Sequence, residues 1–352
     1  MNRPGDTVRG RGAPINPANR FALTHAERFE DYDPSEDAAP ATQLIPDATG
    51  TIIAHNDSPD IGFAASINVY RGCEHGCAYC FARPTHEFLG FSAGLDFETK
   101  IVVKYQAPEL LRHELSSPRW KPQVIAMSGV TDCYQPIERR LQLTRRCLEV
   151  LAEFRNPVVI VTKNHLITRD VDLLAELARF KAVAVYLSLT TLDAELPPKL
   201  EPRASLPKMR LAAIRALHEA GVPVGVLAAP MIPGLNDHEL PRIIAAAAEA
   251  GAQWAAFTPL RLPYAVKDIF CAWLDRHFPG RKENVLNRIR SLRGGRLNDS
   301  RFGSRMSGEG VFAEQLAQMF RVAVRKAGLA GRDYELATAA FRRPGETQLP
   351  LL

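Results

Sequence analysis

Six short apolar or β-branched runs recur between residues 63 and 257, and the stretches between most of them carry apolar residues at helical spacing. The runs are Phe63–Tyr70, Val124–Met127, Val158–Lys163, Val183–Leu189, Val222–Ala228 and Trp254–Phe257. Helices are expected over Arg139–Phe154, Asp170–Phe180, Leu206–Ala220 and Glu239–Ala250, with Asp170 favouring an N-terminus and Gly221 and Gly251 acting as stops. Strands that alternate with helices run parallel, because each helix carries the chain back to the starting edge of the sheet. The pattern predicts an α/β fold, a partial (β/α)6 TIM-type barrel, since a complete barrel needs eight such units. Lys100–Lys104 stays open between a short strand followed by a helix from Ala107 and a single helix kinked at Pro108.

The barrel is expected over residues 61–265, between two extensions. Residues 1–60 have no sustained period; a basic segment (Arg3, Arg9, Arg11, Arg20) precedes an acidic one (Glu27, Glu30, Asp31, Asp33, Glu36, Asp37). Such a stretch reads as partly flexible or wrapped over the core, either a solvated tail or an interaction arm. Residues 266–352 read as a basic helical cap, with helices over Ala265–His277 and Val311–Ala327. Between them Arg281, Lys282, Arg288, Arg290, Arg293, Arg296, Arg301 and Arg305 face only two acids, Glu283 and Asp299. That run forms either a track for nucleic-acid phosphates or a set of cations that pair with carboxylates and face water.

Six cysteines in 352 residues are too sparse for a disulfide scaffold, which points to the reducing cytoplasm. No run of about eighteen apolar residues suggests a membrane span, and Met1–Gly5 leads into no apolar signal segment. A soluble monomer is expected. The net charge of +5 permits contact with nucleic acid without requiring it.

The first strand delivers Arg71-Gly72 and then Cys73-Glu74-His75-Gly76-Cys77-Ala78-Tyr79-Cys80, followed by Phe81. A C-x3-C-x2-C loop with a glycine in its first interval can place three thiolates on one [4Fe-4S] cluster. Three ligands leave one iron open, whereas a structural zinc is closed by four. Zinc completed by His75 or His86 and a surface disulfide are the alternatives. Cys147 and Cys271 fall in helical patterns and read as core residues.

The spacing, with an aromatic residue before the last cysteine, resembles the signature of the radical S-adenosylmethionine (SAM) superfamily. Cys73, Cys77, Cys80, Tyr79, Ser128, Lys163 and Ser188 together resemble its spore photoproduct lyase branch, also called DNA repair photolyase-like, over roughly residues 61–260. Asn16-Pro17-x-Asn19-Arg20-Phe21, Ser128-Gly129-Val130-Thr131-Asp132 with Tyr134-Gln135-Pro136, and Asp299-x-Arg301-Phe302-Gly303-x-Arg305-Met306 resemble a bacterial subgroup of uncharacterised radical SAM proteins. The resemblance implies a [4Fe-4S] cluster on Cys73, Cys77 and Cys80, SAM on the open iron, a reduced flavodoxin- or ferredoxin-type electron donor, and a 5′-deoxyadenosyl radical that abstracts hydrogen from a substrate.

Barrel enzymes carry chemistry at the C-terminal ends of their strands, and the polar residues there become candidate SAM contacts. Ser128, Gly129, Thr131 and Asp132 stand where the superfamily binds the methionyl amino group. Lys163 ends the third strand and needs an anion, either the SAM carboxylate or a structural partner. Ser188 and Thr190 offer hydroxyls, Glu201 and Arg203 a carboxylate and a guanidinium, and Pro230 and Ile232, with Tyr79 and Phe81, a surface for adenine. One position departs from the lyase pattern. Met127 stands where that branch carries a hydrogen-donating cysteine, and Cys133 is the nearest substitute. Three functions compete: hydrogen abstraction from a nucleic acid, in repair or modification; the same chemistry on a protein or small metabolite; and a non-catalytic, metal-bearing nucleic-acid-binding protein.

Overall fold

The computed structural model describes residues 10–22, 41–329 and 334–345. Arg3, Arg9 and the acidic run from Glu27 to Asp37 lie outside the described residues. Ten strands are found among those described: β1 (Gln43–Pro46), β2 (Ile53–His55), β3 (Ala65–Ile67), β4 (Tyr70–Arg71), β5 (Lys100–Val103), β6 (Ile125–Met127), β7 (Val158–Thr162), β8 (Val183–Ser188), β9 (Val224–Met231) and β10 (Ala255–Pro259). Seven form one sheet in the order β10-β9-β8-β7-β6-β3-β2. All its pairings are parallel except that of β2 with β3. The six parallel strands coincide with the six apolar runs of the sequence.

Their inward residues, among them Ile67, Ile125, Ile160, Val185 and Val226, are fully buried in one continuous core. The helix Leu143–Phe154 lays Leu143, Cys147, Leu148, Leu151 and Phe154 on that core. Full burial of one such aliphatic side chain contributes about 1.5–3 kcal/mol, so a Leu148→Ala cavity would cost roughly 2–5 kcal/mol.

The first expected strand is split. Asn68 leaves the ladder, and its side-chain oxygen accepts from the Val130 and Thr131 amides at 2.9 and 3.3 Å, so β3 stays in the barrel while β4 turns to a second sheet, β1-β5-β4. Lys100–Val103 is the strand of the two alternatives, with its own helix Ala107–Ser116 after it. β1 and β2 pair with β5 and β3, although both lie in the stretch read as aperiodic. The basic run Arg281–Arg305 contains a helix, Lys282–Leu292, whose Val285, Leu286, Ile289 and Leu292 are buried. No helix among the described residues is long and apolar enough to cross a membrane.

Candidate active site

The cysteine loop leaves β4 through Gly72 and is pinned on three sides. Cys73 N donates to Phe97 O at 2.9 Å, and Ala78 N to Leu200 O at 3.0 Å. Gln135 clamps the loop from the barrel side, donating to Gly72 O at 3.1 Å and accepting from Glu74 N at 2.9 Å. Gly76 holds φ +66°, a left-handed conformation that costs glycine nothing. Against it lies a strap, residues 10–14, whose Gly12 sits so close that a Cβ there would fall 1.6 Å from Gly76 O. The strap is anchored by Glu98, which is fully buried and accepts from Gly12 N at 3.0 Å and Ala13 N at 2.8 Å. Arg83 neutralises Glu98 at 2.5 Å and also donates to Cys77 O through Nε and Nη2.

All six cysteines are free thiols. Burial pushes Cys73, Cys77 and Cys80 up from the usual thiol range, while the Lys163 cation opposes this at Cys77 and Cys80. Buried thiols of this kind lose their protons when a metal centre supplies the compensating charge. The zinc alternative finds no support. His75 faces Asp132 at 3.4 Å through Nδ1 and Asn164 at 3.2 Å through Nε2. His86 is buried between Phe91 and Phe97, and burial lowers it to about 4. Among the described residues no three or more His, Cys, Asp or Glu converge on one metal ion. The thiolates of a cubane bind different irons and need not converge, so three soft ligands on one loop fit an iron–sulfur cluster.

Lys163 follows β7 and Ser188 ends β8, and the register Thr162↔Leu187 brings them side by side. Lys163 Nζ donates to Ser188 Oγ at 2.7 Å and lies 5.8 Å from the Tyr79 ring centre. Ser188 in turn donates to Ala229 O at 3.0 Å. Below them is a buried network: Glu201 accepts from Tyr79, from Thr190 at 2.7 Å and from Arg210, which also donates to Ser188 O at 3.0 Å. Burial alone would raise Glu201, but the Arg210 and Lys163 cations outweigh it and hold it at about 2. Ser128 is held at φ +75° with its Oγ accepting from Cys133 N at 2.9 Å, a strained position for a non-glycine residue, and Gly129 follows it. Pro230 and Ile232 are tied by Asn236, which donates to Pro230 O and Thr190 O and accepts from Ile232 N at 2.6 Å. Ile232 packs in the same apolar cluster as Cys77, Ala78 and Tyr79.

Several expectations change. Asp132 was expected to meet an ammonium, yet its oxygens accept from Thr162 Oγ1 at 2.8 Å, Lys163 N at 2.8 Å and Tyr134 N at 2.9 Å, besides facing His75. A carboxylate has about four acceptor sites, so this one is filled by the chain. Glu201 is engaged in the same way. Arg203 pairs with Glu74 at 3.2 Å, and Thr131 donates to Tyr70 O at 2.7 Å. Cys133 and Met127 are buried in the main core cluster, and Cys133 N donates to Ser128 Oγ at 2.9 Å.

In the basic run Lys282, Arg288, Arg290, Arg301 and Arg305 meet Asp275, Asp237, Glu283, Asp299 and Asp60. Arg293 is buried and donates to Leu260 O, Ser304 O and Arg305 O. Arg281 and Arg296 are exposed. Arg20 of the N-terminal arm pairs with Glu87 at 3.1 Å. Gln135, Arg210, Asn68 and Asn236 had no assigned role from their types; only Gln135 stood in a quoted motif.

Comparison with known proteins follows the same outline. The family profile described as the radical SAM superfamily matches residues 67–247. An uncharacterized protein of Mycobacterium tuberculosis is 39% identical over 232 residues, 65% of this chain and 67% of the relative. One of Methanocaldococcus jannaschii is 31% identical over 173 residues, 49% of this chain and 62% of its own. A spore photoproduct lyase complexed with dinucleoside spore photoproduct superposes with a TM-score of 0.59 at 16% identity, over 82% of this chain and 80% of that one. A mutant of that lyase with bound AdoMet and the same dinucleoside gives 0.60 at 15%, over 83% and 82%.

Proposed function

The chain belongs to the radical SAM superfamily, whose enzymes use a [4Fe-4S] cluster and SAM, and from that premise we propose that its centre lies at the barrel mouth beside Cys73, Cys77 and Cys80. When bound, the cluster and SAM supply one-electron cleavage to a 5′-deoxyadenosyl radical that abstracts hydrogen. The observation that carries the placement is Lys163: among the described residues no carboxylate lies within ion-pair distance of it, and its hydrogen-bond partner is a serine hydroxyl. A cation so placed orients a ligand carboxylate. Ser188, Thr190 and the Ser128–Gly129 turn shape the same space, with Tyr79, Phe81, Pro230 and Ile232 as its apolar wall. Glu201, Arg203, Thr131 and Asp132 act as positioning residues. The buried Glu201–Arg210 pair fixes Tyr79 and Thr190, while Asp132 fixes His75 and the Lys163 backbone.

The substrate class is a nucleic acid. Arg261, just beyond β10, has a buried Nε without a hydrogen-bond partner, donates from Nη1 to Met306 Sδ at 3.2 Å, and lies 5.7 Å from the half-exposed Phe81 ring. Arginine beside an exposed aromatic ring suits a phosphate next to a stacked base. A reducing cytosol is the compartment that suits this chemistry. Anaerobic reconstitution tests the reading. Wild-type protein is expected to hold close to one cluster and to yield 5′-deoxyadenosine on reduction with SAM, and Cys77→Ala to lose both. Unchanged iron in that variant, or zinc in native material, overturns it.

A further inference from the structure

Two segments, Asn16–Phe21 and Asp299–Met306, each carry an arginine and a phenylalanine that the centre described above does not use. Both segments are tied down. Asn19 Nδ2 donates to Glu87 O at 2.8 Å and to Phe91 O at 3.0 Å, and Asn19 Oδ1 accepts from Phe21 N at 2.8 Å. In the second segment Arg301 pairs with Asp299 at 2.8 Å and Gly303 N donates to Asp60 at 2.7 Å, with Phe302 between these two residues. Phe21 and Phe302 are nevertheless more than half exposed, as are Phe88, at the end of the helix Arg83–Leu89, and Tyr264. An anchored backbone that leaves an apolar ring in water adds nothing to the core and marks a contact surface.

Guanidinium groups lie against these rings. Arg20 is 4.7 Å from the Phe21 ring centre, 5.6 Å from that of Phe88 and 3.8 Å from that of Tyr264, and the Phe21 and Phe88 rings are 4.9 Å apart. Arg305 is 4.5 Å from the Phe302 ring centre. Arg261 joins the two groups. Its Nη1 donates to Met306, the neighbour of Arg305, and Tyr264 follows it by three residues, a span of no more than about 11 Å. The carboxylates of the two groups are covered: the Glu87 side chain is 1% exposed where its partner Arg20 is 30%, and Asp60 is 9% where Arg305 is 18%. Rings and guanidinium groups are what a ligand meets.

We propose that the Arg20–Phe21–Phe88–Tyr264 and Phe302–Arg305 groups are stacking platforms for the unpaired bases of a single-stranded nucleic acid, joined by the phosphate contact at Arg261. The proposal rests on the reading of a nucleic-acid substrate and adds its form. Bases of a duplex stack on each other and offer such rings no free face, whereas those of a single strand do. Arg20 and Arg305 are already balanced by Glu87 and Asp60, so stacking, not counterion release, sets the preference for the single strand.

Labelled oligonucleotides of one sequence, single-stranded and annealed, as DNA and as RNA, test it by fluorescence anisotropy. The four rings lie outside the core clusters, so their substitution leaves the fold in place. Wild type is expected to bind the single strand of DNA or of RNA at least tenfold more tightly than its duplex. Phe21→Ala/Phe88→Ala and Phe302→Ala should each lose about tenfold on the single strand, with duplex affinity and salt slope unaltered. Phe21→Trp/Phe88→Trp keeps flat faces and should bind the single strand as wild type does, which a merely structural role would not give. Equal affinity for single strand and duplex, or alanine variants that bind the single strand like wild type, overturns the platforms and leaves the nucleic-acid reading standing. A wild-type dimer dispersed by Phe21→Ala/Phe88→Ala assigns the rings to a second copy and overturns the platforms too. Wild type that binds no oligonucleotide overturns the reading and the platforms together.

Discussion

Arg305 and Asp60 stand 245 residues apart in the chain, yet Arg305 Nε donates to an Asp60 carboxylate oxygen at 2.5 Å. Asp60 lies in the loop between β2 and β3, and the short helix Ser304–Ser307 that carries Arg305 packs on β10. These are the two ends of the seven-stranded sheet, so the pair, with Gly303 N donating to Asp60 at 2.7 Å, ties the open side of the partial barrel. It also leaves Arg261 without that carboxylate as a direct partner. Burial, then Arg305, lowers Arg261, and only the Asp60 field opposes them.

The proposed nucleic-acid reading puts a substrate phosphate at Arg261. Labelled single- and double-stranded DNA and RNA, titrated at two ionic strengths, are expected to bind wild type in a salt-dependent manner. Arg261→Gln should weaken binding about tenfold and reduce the salt slope by about one. An Arg281→Ala/Arg288→Ala/Arg296→Ala protein serves as the surface control, since Arg293 is a buried structural residue. Equal, weak binding by all three proteins would sink the nucleic-acid reading in favour of a protein or metabolite substrate.

Lys163→Ala separates the ligand from the cluster. A hydrogen bond to a charged group contributes about 1.5–3 kcal/mol, so SAM affinity measured by calorimetry should fall roughly ten- to a hundredfold, while iron content stays that of wild type. Unaltered affinity would remove Lys163 from the SAM site.

The Glu201–Arg210 pair makes a stability prediction. Both side chains are about 1% exposed, and Arg210→Ala strands a buried carboxylate, at a cost of about 3–5 kcal/mol in urea unfolding. The Glu201 carboxyl lies below its ordinary value of 4.5, at about 2. Its contribution is thus complete above pH 4.5 and is lost as pH falls through about 2. Across that window the wild type should lose stability more steeply than Glu201→Gln; parallel acid profiles would show that the pair does not hold the fold.

The six barrel strands were legible because each is an apolar or β-branched run, and that placed Lys163 and Ser188 at the ends of successive strands; their hydrogen bond was not foreseen. β1 and β2 were not. Gln43–Pro46 and Ile53–His55 are short, half polar and made strands by partners far along the chain. The helix Lys282–Leu292 was masked by its charges, though Val285, Ile289 and Leu292 keep helical spacing. Asp132 and Glu201 show the deeper limit. Sequence identifies a carboxylate near a strand end, but only tertiary contacts decide whether it faces a ligand or, as here, Thr162 and Arg210.

The strap carries a consequence for assembly. Gly12 and Ala13 precede the cysteine loop in the chain, but their acceptor, Glu98, lies 86 and 85 positions later, after all three cysteines. The strap therefore cannot seat until the loop it covers has been made. Seating over Gly76 is thus a late step of folding, set by a contact that spans the whole loop.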